Sequence, residues 1–142
     1  MKLQDIMTNS VIRIQPEETA AVAARTMEHY NIGILPVCRE NGKLCGLITD
    51  RDLVIRCLAS GKMPDKTTVA EVMTTKIVSA APDMEASVAA GLMGREQIRR
   101  LPVVEKGKLC GMVSLGDLAK REEMSLDAAE ALGGICSNIS HR

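Results

Sequence analysis

Most of this 142-residue chain is written twice, and no other feature limits its fold as strongly. The first copy runs from Ile6 to Leu53 and the second from Val72 to Leu118. Met7-Thr8 matches Met73-Thr74, Pro16 matches Pro82, and Val22-Ala23-Ala24 matches Val88-Ala89-Ala90. Met27 matches Met93, and Leu35-Pro36-Val37 matches Leu101-Pro102-Val103. After a one-residue deletion, Gly42-Lys43-Leu44-Cys45-Gly46 matches Gly107-Lys108-Leu109-Cys110-Gly111, and Asp52 aligns with Asp117. Matches in this order define two copies of one supersecondary unit. A unit this short buries too little surface to be stable alone, so neither copy is expected to fold well without the other.

The hydrophobic periods give the elements of each copy. Val11-Ile12-Arg13-Ile14 is a short β-branched run stopped by Pro16, which predicts a strand. Glu17, Glu18 and Thr19 provide helix-start chemistry, and Val22, Ala23, Thr26, Met27 and Tyr30 then fall on one helical face. Ile32–Cys38 and Leu44–Thr49 are β-rich runs about Asn41-Gly42, a strong hairpin signal. From Asp50 a second helix is predicted, with Leu53, Val54, Cys57 and Leu58 on one face and Gly61 ending it. The expected fold is α/β (α+β): two tandem repeats, each strand–helix–strand–strand–helix, packed through their sheets with pseudo-twofold symmetry. The repeats are assigned to residues 1–62 and 63–124, joined by the polar Ser60–Thr68 stretch. Residues 125–142 are assigned to a short C-terminal helix and a flexible tail. Leu126, Ala129 and Leu132 form that helix's apolar face, and Gly133-Gly134 is expected to break it. Gly91 and Gly94 each weaken the first helix of the second copy by about 1 kcal/mol relative to alanine.

Charge and aromatic content exclude several functions. Eighteen basic residues balance eighteen acidic ones, so the chain lacks the basic excess that a phosphate backbone requires. Tyr30 is the only aromatic of the Phe, Trp and Tyr class, which leaves no stacking platform for single-stranded bases. No nucleic-acid partner is expected. Neither a signal peptide nor a run of about 18 apolar residues is present, so the expected location is cytoplasmic, away from membranes. Five cysteines without a secretory signal argue against a disulfide framework, and no C-x-x-C occurs. Counting outward from an Asn41-Gly42 two-residue turn sets Cys38 opposite Cys45, a neighbouring reduced pair that only oxidising conditions would bridge.

The doubled order of Met-Thr, Pro, Leu-Pro-Val and Gly-apolar-apolar-Thr/Ser-x-x-Asp resembles the CBS domain, and two in tandem resemble a Bateman module. The likeness covers residue 3 to about 121. Leu47-Ile48-Thr49-Asp50-Arg51-Asp52 and Arg99-Arg100-Leu101-Pro102-Val103 are similar more narrowly to stand-alone hypoxic-response and general-stress CBS proteins. The resemblance implies a regulatory module, not an enzyme. Its ligands would be AMP, ADP, ATP or S-adenosylmethionine, held in clefts between the copies, with no required cofactor. It implies a homodimer as well, and an effector protein that the sequence does not name.

On that resemblance, Asp52 and Asp117 accept hydrogen bonds from ribose hydroxyls, and Thr49 and Ser114 supply hydroxyls beside a helix start. Arg51, Arg99 and Arg100 meet phosphates, for which planar guanidinium groups are suited. Adenine would lie among aliphatic residues: Ile12 and Ile34 with Val11 in one copy, and Val78 with Ile77 and Leu101 in the other. Gly33 and Ile34 replace Arg99 and Arg100, and Leu115 and Gly116 replace Asp50 and Arg51, so the two sites are not equivalent. No catalytic constellation or metal site is expected: His29 and His141 are the only histidines, and Cys136 with His141 supplies just two ligands. The competing reading is a stress- or redox-responsive interaction protein that binds no nucleotide and uses Cys38 and Cys45 as its switch.

Overall fold

The computed structural model describes residues 1–140, in two compact units with separate cores. Neither unit coincides with a sequence repeat. One comprises residues 12–77; the other combines residues 1–11 with the chain from Val78 onward.

In the first unit, Thr19 caps helix α1 (Ala20–Tyr30) by accepting the Val22 N–H at 3.2 Å, and Asn31 closes it in the left-handed conformation at φ 54°. Ala23 and Met27 of the predicted stripe enter the core. Tyr30 does not: it is half exposed and meets the His29 ring edge-on at 4.7 Å. Strands β1 (Ile34–Cys38) and β2 (Leu44–Thr49) form an antiparallel hairpin. Helix α2 (Asp50–Asp52) continues into a wider turn over Leu53–Leu58, and helix α3 (Val69–Val72) follows. The wide turn bonds Ala59 N–H to Val54 O at 2.8 Å, five residues back. That extra residue per turn breaks the predicted apolar face. Cys57 is buried and Leu53 partly so, whereas Val54, Ile55 and Leu58 are at least half exposed.

The expected first strand of each copy shrinks to a single parallel bridge, Ile14 with Val37 and Ala80 with Val103. Ile14 donates to Pro36 O at 3.0 Å and accepts from Cys38 N–H at 2.9 Å. Extending the ladder to Ile12 or Val78 would require an N–H on Pro36 or Pro102, which proline lacks. Polar Ser60–Thr68 is docked, not a free tether: Ala20 N–H reaches Thr67 O at 2.8 Å and Ala21 N–H reaches Pro64 O at 3.0 Å.

The second unit repeats the plan with helix α4 (Ala86–Glu96), strands β3 (Arg100–Glu105) and β4 (Lys108–Ser114) and helix α5 (Leu115–Ala119), then adds helix α6 (Ser125–Ser140). Deleting one residue shortens its hairpin loop to Lys106-Gly107, both at positive φ (52° and 81°), as a twist-matched two-residue turn requires. The first hairpin instead closes over three residues, with Arg39 N–H on Lys43 O at 2.9 Å. Its register therefore differs from the two-residue count. Cys38 faces Leu44, and Cys45 occupies a bulge after Val37, donating its thiol to Val37 O at 3.3 Å.

Gly133-Gly134 does not break α6. Gly134 lies so close to Gly94 of α4 that a Cβ there would stand 2.7 Å from the Gly94 carbonyl oxygen, and one on Gly94 would stand 3.1 Å from Ala131 Cα. Gly94, which weakens α4 in isolation, thus admits a second helix at backbone distance. The buried face of α6 is Ala128, Ala131 and Ile135, while Leu126 is 71% and Leu132 40% exposed, so the predicted apolar face is not the core face.

Each unit is completed by the Met-Thr pair that begins the other copy. In the first, Thr74 and Leu47 exchange two backbone hydrogen bonds of 2.8 and 2.9 Å; in the second, Thr8 and Met112 do so at 2.9 and 3.0 Å. Met73 lies over Gly46 and Met7 over Gly111, where a Cβ would come within 2.6 and 2.7 Å of the respective sulfur. This exchange gives a structural reason for expecting an isolated copy to fold poorly.

Candidate ligand site

Both Thr/Ser-x-x-Asp motifs fold as reciprocal helix caps. Asp52 N–H donates to Thr49 Oγ1 and Thr49 N–H to Asp52 Oδ2, each at 3.0 Å. Asp117 N–H donates to Ser114 Oγ at 3.0 Å and Ser114 N–H to Asp117 Oδ2 at 2.9 Å. A short hydroxyl residue followed three positions later by a carboxylate satisfies two backbone donors at a helix start.

Beyond the cap the carboxylates part ways. Asp52 is 7% exposed and is occupied further: the Thr74 hydroxyl lies 3.2 Å from each of its oxygens, and Arg56 Nε is 3.7 Å from Oδ1. Asp117 is only partly buried, and among the described residues its Oδ1 takes no further bond. Sequence matching gave no warning of this, because Thr8 holds the place of Thr74 but is exposed and makes no such bond to Asp117. The signal lay in the Met-Thr match, read as a repeat marker and not as a contact with the opposite copy.

Charge separates the sites as well. In the first unit the carboxylates of Asp50 and Asp52 stand with the guanidiniums of Arg51 and Arg56, so its charges are matched. The Asp50 carboxylate crowds Gly33, where a Cβ would stand 2.9 Å from Oδ2. In the second unit Arg99 and Arg100 replace Gly33 and Ile34, Leu115 replaces Asp50, and Asp117 is the one acid of the motif. Leu115 N–H donates to Arg99 O at 2.8 Å, which pins the start of β3 beside the start of α5. Exposed Arg99 and Arg100 line an open pocket of about 490 Å³ with Ser114, Leu115 and Gly116, and α6 contributes Ala128, Ala129 and Leu132. That volume lies in the range of small-molecule sites.

The remaining predicted residues are placed as follows. Ile12, Ile34 and Val78 are half-buried, freed from strand pairing or standing at a strand end, while Leu101 is wholly buried within the core and unavailable to a ligand. Arg51 is exposed, and its N–H donates to Asp50 Oδ1 at 2.8 Å. Burial pushes the Cys38 thiol above its ordinary value against the opposing pull of Arg13, and burial does the same at Cys45 against Arg39. Both are held as thiols, and neither faces the other in the hairpin register. Among the described residues no group of three or more His, Cys, Asp or Glu side chains is arranged to hold a metal ion, and none of the helices is long and apolar enough to cross a membrane. His141, the partner considered for Cys136, lies outside the described residues.

Two hairpins, each followed by a Thr/Ser-x-x-Asp helix cap and repeated in tandem, define a class of paired α+β module, and comparison with known proteins gives its family. The CBS domain model matches residues 3–58 and 69–123, and the chain belongs to that family as a tandem pair of regulatory domains. It is 42% identical over 140 residues to the CBS domain-containing protein YhcV of Bacillus subtilis, covering 99% of this chain and 96% of the relative. Hypoxic response protein 1 of Mycobacterium tuberculosis is 34% identical over 117 residues, 82% of each chain. Among solved structures, Hypoxic Response Protein I with two coordinated zinc ions is similar at a TM-score of 0.78 and 32% identity, covering 85% of this chain and 98% of that one. The CBS domain pair of MJ0100, solved with 5-methylthioadenosine and S-adenosyl-L-methionine, is similar at a TM-score of 0.73 and 29% identity, over 84% and 94%.

Proposed function

We propose that the chain is a regulatory sensor of adenosine nucleotides, with one principal site built on Arg99, Arg100, Ser114 and Asp117. The observation that carries this reading is that the exposed Arg99 and Arg100 line one pocket with Ser114, the residue that caps the helix start together with Asp117 and leaves Asp117 Oδ1 without a further bond among the described residues. The guanidiniums suit phosphate oxygens in bidentate contacts, and Asp117 Oδ1 suits a ribose hydroxyl. Thr49, Arg51 and Asp52 form the weaker counterpart, because Asp52 is already spent on Thr49, Thr74 and Arg56. Val78, Ile12 and Ile34, the aliphatic residues that the family resemblance implies for adenine, are not among the residues that line the pocket of Arg99 and Arg100.

The related MJ0100 pair binds two adenosyl compounds, which supports this ligand class. A separate effector protein reads the bound state, and the exposed Val54, Ile55 and Leu58 supply an apolar surface for the homodimer. A thermal-shift series with AMP, ADP, ATP and S-adenosylmethionine tests the reading, since a ligand that binds only the folded state raises the melting temperature. At least one phosphorylated ligand is expected to raise it, and Arg99→Gln with Arg100→Gln to abolish the rise. No shift with any of the four returns the chain to the redox reading.

A further inference from the structure

We infer that helix α6 supplies the wall on which the base of a bound nucleotide rests, so that the segment beyond the second repeat belongs to the site; this deepens the nucleotide reading and rests on it. The pocket has two chemically distinct sides. Arg99 and Arg100 stand on one, and on the other α6 presents Ser125 at its start followed by the aliphatic Ala128, Ala129 and Leu132. An inorganic anion would satisfy the first side and leave the second wet. A ligand with phosphates at one end and a flat, weakly polar ring at the other satisfies both. Among the described residues no aromatic side chain lines the pocket, so the ring is held by aliphatic contact.

Two features of α6 fit this role. Its core contacts run through Ala128, Ala131 and Ile135, which leaves Leu132 40% exposed along the pocket with no core function to explain it. The helix is also held firmly, by the backbone approach of Gly134 to Gly94 and by Gln97 Nε2 donating to Gly134 O at 3.3 Å. A leucine on a fixed helix makes a defined surface.

The test uses the full chain and two probes, ATP and tripolyphosphate, by isothermal titration. Leu132→Asn is expected to weaken ATP about three- to tenfold, the effect of losing cover from one part-exposed leucine, and to leave tripolyphosphate unchanged. Leu132→Met is expected to keep the wild-type ATP affinity. Arg99→Gln is expected to weaken both probes. Unchanged ATP binding in Leu132→Asn overturns the wall, as does an equal loss for both probes, which would mark general damage to the fold. A wild-type chain that binds no adenosine nucleotide overturns the underlying reading and the wall with it, a result distinct from either.

Discussion

Alanine at Gly111 probes the exchange of Met-Thr segments that completes each unit. A Cβ there would lie 2.8 Å from the Thr8 carbonyl oxygen as well as 2.7 Å from Met7 Sδ. The thioether can swing aside, but the carbonyl is fixed by the paired bonds between Thr8 and Met112, so the N-terminal segment must lift. Overpacking of this kind costs about 1–3 kcal/mol, and each of the two hydrogen bonds put at risk contributes about 0.5–1.5 kcal/mol. The expected loss is about 2–4 kcal/mol in urea unfolding followed by circular dichroism, with faster amide exchange at Thr8 and Met112. At Gly46 the closest atom is again a thioether sulfur, at 2.6 Å, but the Thr74 carbonyl stands back at 3.1 Å. Gly46→Ala is therefore expected to cost less, about 1–2 kcal/mol, mostly by displacing a flexible side chain. Met7→Ala is expected to rescue Gly111→Ala only in part, because the carbonyl contact persists. A Gly111→Ala chain within about 0.5 kcal/mol of wild type, or a larger loss at Gly46, would refute the reasoning.

Three further outcomes are expected. Asp52→Ala, which strips a cap, the Thr74 bond and the Arg56 partner, is expected to lose about 1–3 kcal/mol in urea unfolding, more than Asp117→Ala, which strips a cap alone. Gly134→Ala is expected to loosen α6, seen as faster amide exchange along that helix with α4 otherwise retained, because the new methyl meets the Gly94 carbonyl. Burial raises the Cys38 and Cys45 thiols, so their contribution to stability is full below the ordinary thiol value of 9.0 and is lost as pH climbs through the folded values. Wild-type stability is expected to fall more steeply above pH 9.0 than that of Cys38→Ala, and alkylation at neutral pH to reach exposed Cys136 first.

Much of the architecture is legible in the residues. The repeat, the α1 cap at Thr19, both hairpins and the Thr/Ser-x-x-Asp helix starts all follow from local chemistry, and the structure has them. What escaped was set by contacts between distant segments. That Met7-Thr8 completes the unit holding the second copy is a matter of topology, to which periodicity is blind. The Cys38 register turned on one loop residue, since an Asn-Gly pair serves two-residue and three-residue loops alike. Gly133-Gly134 reads as a helix end until another backbone is found against it. The spacing of Leu126, Ala129 and Leu132 puts them on one side of the helix, but spacing does not tell an exposed apolar face from a core face, and the core face is Ala128, Ala131 and Ile135.

Titration of the wild-type chain with ATP, followed by the same titration of Asp117→Asn, addresses the central claim most directly. One principal binding event per chain is expected in the wild type, weakened about tenfold or more in Asp117→Asn as the ribose loses its charged acceptor. A wild-type titration without heat, or an Asp117→Asn chain that binds ATP as tightly as wild type, would contradict it.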